Sequence, residues 1–112
     1  MTTYQQRSPW MHSIVLTTLN TNYNLLTLVQ AITPGLPTFC RSVSLNVDIG
    51  AGGAKVFIGS PDSLSATDCG WDGVATQIWN STFYVSGGLN LGDIELRTDT
   101  SLTQVNCTIV VA

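Results

Sequence analysis

Strict alternation of side chains between positions 39 and 49 is the feature that most constrains the fold of this chain. One parity is mainly apolar and comprises Phe39, Arg41, Val43, Leu45, Val47 and Ile49. The other is mainly polar and comprises Cys40, Ser42, Ser44, Asn46 and Asp48. This period of two predicts a β-strand with one buried face, because a helix would need apolar residues three and four apart. Gly50-Ala51-Gly52-Gly53 precedes a second apolar run over 54–58, which predicts a β-hairpin.

Short strands are also predicted elsewhere, at His12–Leu19, Tyr23–Ile32, Ala75–Val85, Leu89–Thr98 and Thr103–Val111. Over Tyr23–Ile32 a helix is the rival, since Leu25 and Val29 fit helical spacing, but the β-branched residues favour a strand. Within Leu89–Thr98 the apolar parity shifts by one residue, which predicts a β-bulge at Gly92.

Turn-forming residues separate these segments. Asn20–Asn22, Pro34–Pro37 and Thr98–Ser101 are predicted turns, and Gly59–Gly73 is a predicted long surface loop. Short antiparallel strands joined by such turns predict an all-β fold, a small antiparallel β-sandwich of jelly-roll or Ig-like type. We expect a single domain over residues 13–112, preceded by an extended arm over residues 1–12.

The composition argues against several classes of partner. Charged residues make up 10% of the 112 residues, the net charge is −3, and the four basic residues are scattered. No basic patch is therefore expected to bind nucleic acid. No apolar run approaches the ~18 residues of a membrane span, and the N-terminus lacks the apolar core of a signal peptide. We expect synthesis in the cytoplasm and no membrane partner.

No group of residues predicts catalysis or metal binding. His12 is the only histidine and has no nucleophile signature near it. Cys40, Cys69 and Cys107 are an odd number at wide spacing, so neither a zinc site nor a disulfide framework is predicted. Cys107 is predicted to be a buried thiol, and one disulfide is the minor alternative. We expect no enzyme activity and no cofactor.

The aromatic residues of the second half leave two interpretations open. Trp71, Trp79, Phe83 and Tyr84 could pack in a sandwich core or form a stacking platform for sugar rings. Trp71 is the main candidate for the platform, because it falls in the predicted Gly59–Gly73 loop, where burial is less assured.

Several stretches of the second half resemble a known type of protein. These stretches are Ala54-Lys55-Val56-Phe57-Ile58-Gly59-Ser60, Gly70-Trp71-Asp72-Gly73, Leu91-Gly92-Asp93-Ile94-Glu95-Leu96-Arg97-Thr98-Asp99-Thr100 and Val105-Asn106-Cys107-Thr108-Ile109-Val110. Over about residues 42 to 112 the chain is similar to small β-sandwich virion proteins of tailed bacteriophages. The resemblance implies a place on the head, as a decoration or cement protein, or in a tail or fibre assembly.

The expected function is a capsid decoration protein that binds and stabilises the major capsid lattice. The alternative is a tail- or fibre-associated module that binds a receptor or a carbohydrate. A homotrimer is expected, because a small sandwich has modest stability and capsid lattices present three-fold positions. The residues predicted at contacts with other subunits or with ligands are Tyr4, Arg7, Trp10, Met11, Tyr23, Leu25 and Trp71.

Overall fold

The structure, a computed structural model, describes residues 9–48, 54–82 and 88–111. Within these ranges the strands are β1 (Trp10–Leu16), β2 (Tyr23–Asn24), β3 (Phe39–Cys40), β4 (Ser42–Val47), β5 (Val56–Gly59), β6 (Trp71–Gly73), β7 (Ile78–Thr82), β8 (Leu89–Asn90), β9 (Glu95–Thr98) and β10 (Thr103–Val110). One α-helix, α1, spans Leu25–Ile32, and a 3-10 turn spans Leu91–Asp93.

Two antiparallel sheets form the architecture. Sheet A has the strand order β1-β10-β4-β7, and sheet B has the order β2-β9-β5-β6. Buried residues of both sheets and of α1 form one hydrophobic cluster, with Leu45 and Ile109 from sheet A, Ile58 and Leu96 from sheet B, and Val29 from the helix. The predicted all-β antiparallel sandwich is confirmed.

Strand β4 buries the face that its alternation predicts, but the prediction that it forms a hairpin with β5 is wrong. Val43, Leu45 and Val47 are buried, whereas the intervening residues are only half-buried. β4 pairs with β10 and β7, and β5 pairs with β6 and β9, so the two strands lie in different sheets rather than in a hairpin. Alternation specifies which face of a strand is buried, whereas it does not specify which strand lies beside it. Ile49 and the glycine-rich segment 50–53 lie outside the described residues.

The same parity does not extend back to residue 39. Phe39 and Cys40 form the separate strand β3, which pairs with β8 and leaves Phe39 exposed and Cys40 buried. Arg41 lies between β3 and β4 and is exposed. A break at this residue therefore reverses the predicted faces of Phe39 and Cys40.

The predicted strand over Tyr23–Ile32 is wrong, because most of this segment is helix α1. The side-chain oxygen of Asn24 caps the helix by accepting hydrogen bonds from the backbone N–H groups of Leu26 and Thr27 at 3.1 and 3.4 Å. Leu25 and Val29, one turn apart, are both buried. Pro34 disfavours helical geometry at the residue before it, and α1 ends at Ile32.

The predicted N-terminal arm is too long at its C-terminal end. Trp10, Met11 and His12 belong to β1, where Trp10 pairs with Ile109 in the first register position. The indole of Trp10 is buried, and its Nε1–H donates to the hydroxyl of Thr33 at 2.9 Å. Residues 1–8 lie outside the described residues, so the rest of the predicted arm stays a prediction.

The loop predicted over Gly59–Gly73 is shorter than expected. Trp71–Gly73 form β6, in which Trp71 pairs with Ile58. The indole of Trp71 lies over Gly73, where an added Cβ would overlap the ring. Trp71 is thus a half-buried strand residue packed against the core, and its predicted place in a loop is wrong.

The predicted bulge at Gly92 is also wrong, because the 3-10 turn produces the shift of parity. The side chain of Asn90 accepts a hydrogen bond from the N–H of Gly92 at 2.8 Å and so starts the turn. Leu91 and Ile94 are both buried although their parities differ. A helical turn rotates the chain between them, so the same face is buried on both sides of Gly92.

A buried pair of hydroxyl groups joins the two sheets at the predicted Thr98–Ser101 turn, which the structure places at residues 99–102 because Thr98 still belongs to β9. Oγ1 of Thr98, in β9, lies 2.8 Å from Oγ1 of Thr103, in β10. Oγ1 of Thr98 also lies 3.2 and 3.1 Å from the carbonyl oxygens of Lys55 and Thr100, either of which can accept its single proton, and it accepts a hydrogen bond from the N–H of Thr100. This cluster fixes the path of the chain from sheet B to sheet A.

Candidate interaction surfaces

The outer face of sheet A carries a grid of mostly uncharged polar side chains. Residues directly opposite one another on paired strands share a face of the sheet. One such row is Met11, Thr108, Ser44 and Asn80, and the next is Ser13, Asn106, Asn46 and Ile78. We call these eight residues, together with Val15, Gln104 and Asp48 of the adjoining row, the outer A face.

Hydrogen bonds order the centre of the outer A face. The hydroxyl of Ser13 donates to the side-chain oxygen of Asn106 at 2.9 Å, and the amide of Gln104 donates to the hydroxyl of Ser13 at 3.1 Å. The amide of Asn106 donates to a carboxylate oxygen of Asp48 at 3.2 Å. Side chains held in this way lose less conformational freedom when a partner binds.

Apolar side chains flank this polar centre on both edge strands. Met11 and Val15 on β1 are 65% and 42% exposed, and Ile78 on β7 is 57% exposed. Protein interfaces are poor in charged residues at their centres and rich in methionine, arginine and aromatic side chains. Asp48 is the only charged residue of the outer A face. The low charge of the outer A face and its exposed methionine are features that it shares with protein interfaces.

A second surface is a cleft beside the loop of residues 60–70. Its volume is about 390 Å³, and its lining includes Ser60, Asp68, Trp79, Asp93 and Ile94. These residues come from the loop, from β7 of sheet A and from the 3-10 turn that precedes β9. The cleft therefore lies where the two sheets approach each other, and it combines an aromatic side chain with carboxylates and hydroxyls.

Short hydrogen bonds fix the walls of this cleft. The N–H of Gly70 donates to the carbonyl of Ile58 at 2.8 Å, and the amide of Asn22 donates to the carbonyl of Leu64 at 3.0 Å. The amide of Asn24 donates to the carbonyl of Gly92 at 2.9 Å and anchors the opposite wall. The cleft is consequently formed before any ligand arrives.

Two of the predicted contact residues belong to the hydrophobic core. Trp10 and Leu25 are buried, so their prediction as interface residues is wrong. Trp10 is buried beneath the end of the helix, and Leu25 begins the buried stripe of α1. Large apolar side chains of this type are enriched in both cores and interfaces, and the sequence alone did not separate the two.

The other predicted contact residues differ in their exposure and in whether the structure describes them. Met11 is exposed and lies on the outer A face. Tyr23 is half-buried, and hydrogen bonds with Thr17 and then with Thr18 lower the pKa of its hydroxyl. Tyr4 and Arg7 lie outside the described residues, as do Phe83 and Tyr84 of the aromatic platform.

The cysteines and the histidine do not assemble into a site in the part of the chain that the structure describes. All three thiols are free. Burial raises the pKa of Cys40 to about 11, and burial together with the neighbouring Cys40 raises the pKa of Cys107 to about 12. His12 is exposed, and its ring centroid lies 4.5 Å from that of Trp10. Within the described ranges, no three His, Cys, Asp or Glu residues are grouped to hold a metal ion.

The sequence contained a signal for the outer A face but none for the cleft. Ser42, Ser44 and Asn46 alternate with the apolar residues of β4, and Gln104, Asn106 and Thr108 do so in β10, which identifies the polar faces of both strands. The cleft depends on segments separated by more than thirty positions, from Ile58 to Ile94. No local pattern brings such segments together.

Comparisons of the chain with protein-family models, with curated proteins and with solved structures found no match. No helix in the described ranges is both long enough and apolar enough to cross a lipid bilayer.

Proposed function

We propose that the protein is a non-enzymatic structural component of a bacteriophage virion, a decoration or cement protein that binds the major capsid lattice. The observation that carries the proposal is the outer A face, whose ordered and nearly uncharged polar centre lies between the exposed side chains of Met11 and Ile78. Such a surface offers many hydrogen-bonding groups to a partner, at a low cost in desolvated charge.

The size of this face favours attachment in many copies. Seven residues of β1 and four strands give an area of roughly 400 Å². A stable protein–protein interface buries about 800 Å² on each partner, so one copy would bind weakly through this face alone. Several copies on one lattice, or several faces in one oligomer, would raise the overall affinity without a larger contact per chain. A repetitive capsid supplies this arrangement.

The resemblance to virion proteins supports the same proposal. Its stretches coincide with structural elements on both sheets, namely β5, β6, the 3-10 turn with β9, and β10. They therefore describe the framework of the sandwich, in which β10 pairs with β4 at the centre of sheet A.

A homotrimer is part of the proposal, but the structure removes the argument for a subunit contact at Tyr23–Ile32. Tyr23 and Leu25 are predicted contacts that belong to the predicted strand Tyr23–Ile32. A strand there would have apolar residues on both faces, and one small domain could hardly bury both, so a second subunit would have to cover one of them. The segment is mostly helix, and α1 buries Leu25 and Val29 inside its own chain. Sedimentation velocity at micromolar concentration tests the oligomer. We expect a trimer in solution or on the particle, and a monomer in both places would contradict this part.

Presence in the particle is the first test of the proposed function. Virions of the phage that encodes the chain are purified on a density gradient, and their proteins are identified by mass spectrometry. We expect the chain in intact particles and in heads separated from tails. Its absence from intact particles would contradict the structural role, and its presence in tails alone would contradict attachment to the capsid.

A further inference from the structure

We propose that the cleft beside the 60–70 loop binds a sugar ring that carries neutral or basic substituents. The cleft and the outer A face share no residue, so this inference does not depend on attachment to a capsid. It gives the carbohydrate-binding alternative a defined site, in which Trp79 takes the place that the sequence suggested for Trp71.

The aromatic side chain is the first part of the argument. Trp79 lines the cleft, and its side chain is only half-buried although it packs against the core. Its paired residue is Leu45, whose side chain is buried, so Trp79 faces the space between the sheets at the edge strand β7. An indole offers an electron-rich face that attracts the polarised C–H groups on one side of a pyranose ring.

The polar lining is the second part. The residues that line the same cleft include Asp68 and Asp93, which carry carboxylates, and Ser60 and Ser63, which carry hydroxyls. Among the described residues these two carboxylates form no hydrogen bond within the chain, so their acceptor positions remain available to a ligand. Carboxylates accept strong hydrogen bonds from hydroxyl groups, and a sugar ring presents several hydroxyls in a small volume.

The charge of the cleft specifies the class of sugar. Among the residues that the structure describes, two aspartates and no basic residue line it, so a uronic acid, a sialic acid or a phosphate would meet repulsion. A neutral hexose avoids this repulsion, and an amino sugar gains an attraction between its ammonium group and a carboxylate. The volume of about 390 Å³ lies in the lower part of the range for small-molecule pockets, which suits one or two sugar rings.

The experiment uses the whole chain and a defined panel of sugars, namely glucose, galactose, mannose, N-acetylglucosamine, glucosamine and glucuronic acid. Saturation-transfer difference NMR detects binding, and titration gives the dissociation constant. We expect at least one neutral or basic sugar to bind with millimolar affinity and glucuronic acid to bind more weakly. If no sugar of the panel binds, or if glucuronic acid binds best, the inference is wrong.

Matched variants locate the binding. Trp79→Leu should weaken binding at least about tenfold, which corresponds to about 1.4 kcal/mol, whereas Trp71→Leu should leave it unchanged. Both tryptophans are half-buried strand residues, but only Trp79 lines the cleft. Equal effects of the two variants would contradict the site.

A pair of aspartate variants keeps the test valid should either tryptophan variant fail to fold. Asp93→Asn removes an exposed carboxylate of the cleft, and Asp62→Asn removes an exposed carboxylate of the neighbouring loop that does not line it. Binding should weaken several-fold in the first variant and stay unchanged in the second. Unchanged binding in Asp93→Asn would overturn the proposed role of the carboxylates.

Discussion

The buried hydroxyl pair at the turn between β9 and β10 makes a quantitative prediction about stability. Thr98 and Thr103 are 0% and 2% exposed, and their hydroxyl oxygens lie 2.8 Å apart. Valine has nearly the shape of threonine but lacks the hydroxyl. A Thr→Val substitution at either position therefore removes hydrogen bonds without creating a large cavity.

The number of hydrogen bonds at each hydroxyl determines the expected cost. The Thr98 hydroxyl interacts with Thr103, with the carbonyls of Lys55 and Thr100, and with the N–H of Thr100. Thr98→Val should lower the free energy of unfolding by about 2 kcal/mol, because it removes these interactions and leaves the N–H of Thr100 without its acceptor. The Thr103 hydroxyl has two such interactions, with Thr98 and Thr100, so Thr103→Val should cost about 1.5 kcal/mol.

The double variant separates a coupled pair from two independent residues. Each single substitution breaks the bond between the two hydroxyls and leaves one of them buried without it. The double variant should therefore lose about 2.5 kcal/mol, which is about 1 kcal/mol less than the sum of the two single costs.

Guanidinium denaturation followed by circular dichroism measures all of these costs. The control is Thr108→Val, the same substitution on β10 but on the outer A face, which should change stability by less than about 0.5 kcal/mol. The reasoning is refuted if either buried variant is as mild as this control. It is equally refuted if the cost of the double variant equals the sum of the single costs.

Three further predictions follow from the thiols and the N-terminus. In the native protein only the half-buried Cys69 should react quickly with a thiol reagent near neutral pH. The buried Cys40 and Cys107 should react only when the protein unfolds, and a time course followed by mass spectrometry tests this order. Because burial raises the pKa values of Cys40 and Cys107 from 9.0 to about 11 and about 12, their contribution to stability should be complete below pH 9. This contribution should be lost as the pH rises from 9 toward 11 and 12, because the thiols of the unfolded chain lose their protons at a lower pH than those of the folded chain. Denaturation at increasing pH tests whether the free energy of unfolding falls in this range. Deletion of residues 1–9 removes no part of β1 and should leave a folded sandwich that no longer binds particles or forms trimers, because it removes the predicted contact residues Tyr4 and Arg7; normal assembly would contradict their predicted role.

The sequence predicted those features of the fold that depend on local periodicity. Alternation over Ser42–Val47 and Thr103–Val110 indicated two strands, each with one buried face, and both are present. The same alternation contained no information on strand order, so β5 was assigned to the wrong sheet. Pairing across a sandwich depends on contacts between distant segments, which a local pattern does not describe.

The helix α1 and the 3-10 turn at Leu91–Asp93 are two elements that the sequence patterns did not predict correctly. Leu25 and Val29 had helical spacing, and the cap formed by Asn24 made the helix the better choice despite the β-branched residues. At Gly92 a shift of parity was interpreted as a bulge, although a single helical turn has the same effect on which side is buried. The candidate sites were predicted least well, because Trp10 and Leu25 had the properties of interface residues but are buried in the core.

Attachment through the outer A face is the central claim, and binding of charge variants to capsids tests it most directly. Thr108→Arg and Ser44→Arg each place a charge at the centre of this face, in a row that leaves the hydrogen bonds of Ser13, Asn106 and Asp48 intact. Thr27→Arg places the same charge on the exposed side of α1 and is the control. The measurement is co-sedimentation of each purified variant with capsids that lack the protein. The proposal predicts that Thr108→Arg and Ser44→Arg bind at least about tenfold more weakly than the unaltered chain, while Thr27→Arg binds equally well. Unchanged binding of Thr108→Arg and Ser44→Arg, or an equal loss in Thr27→Arg, would contradict attachment through this face.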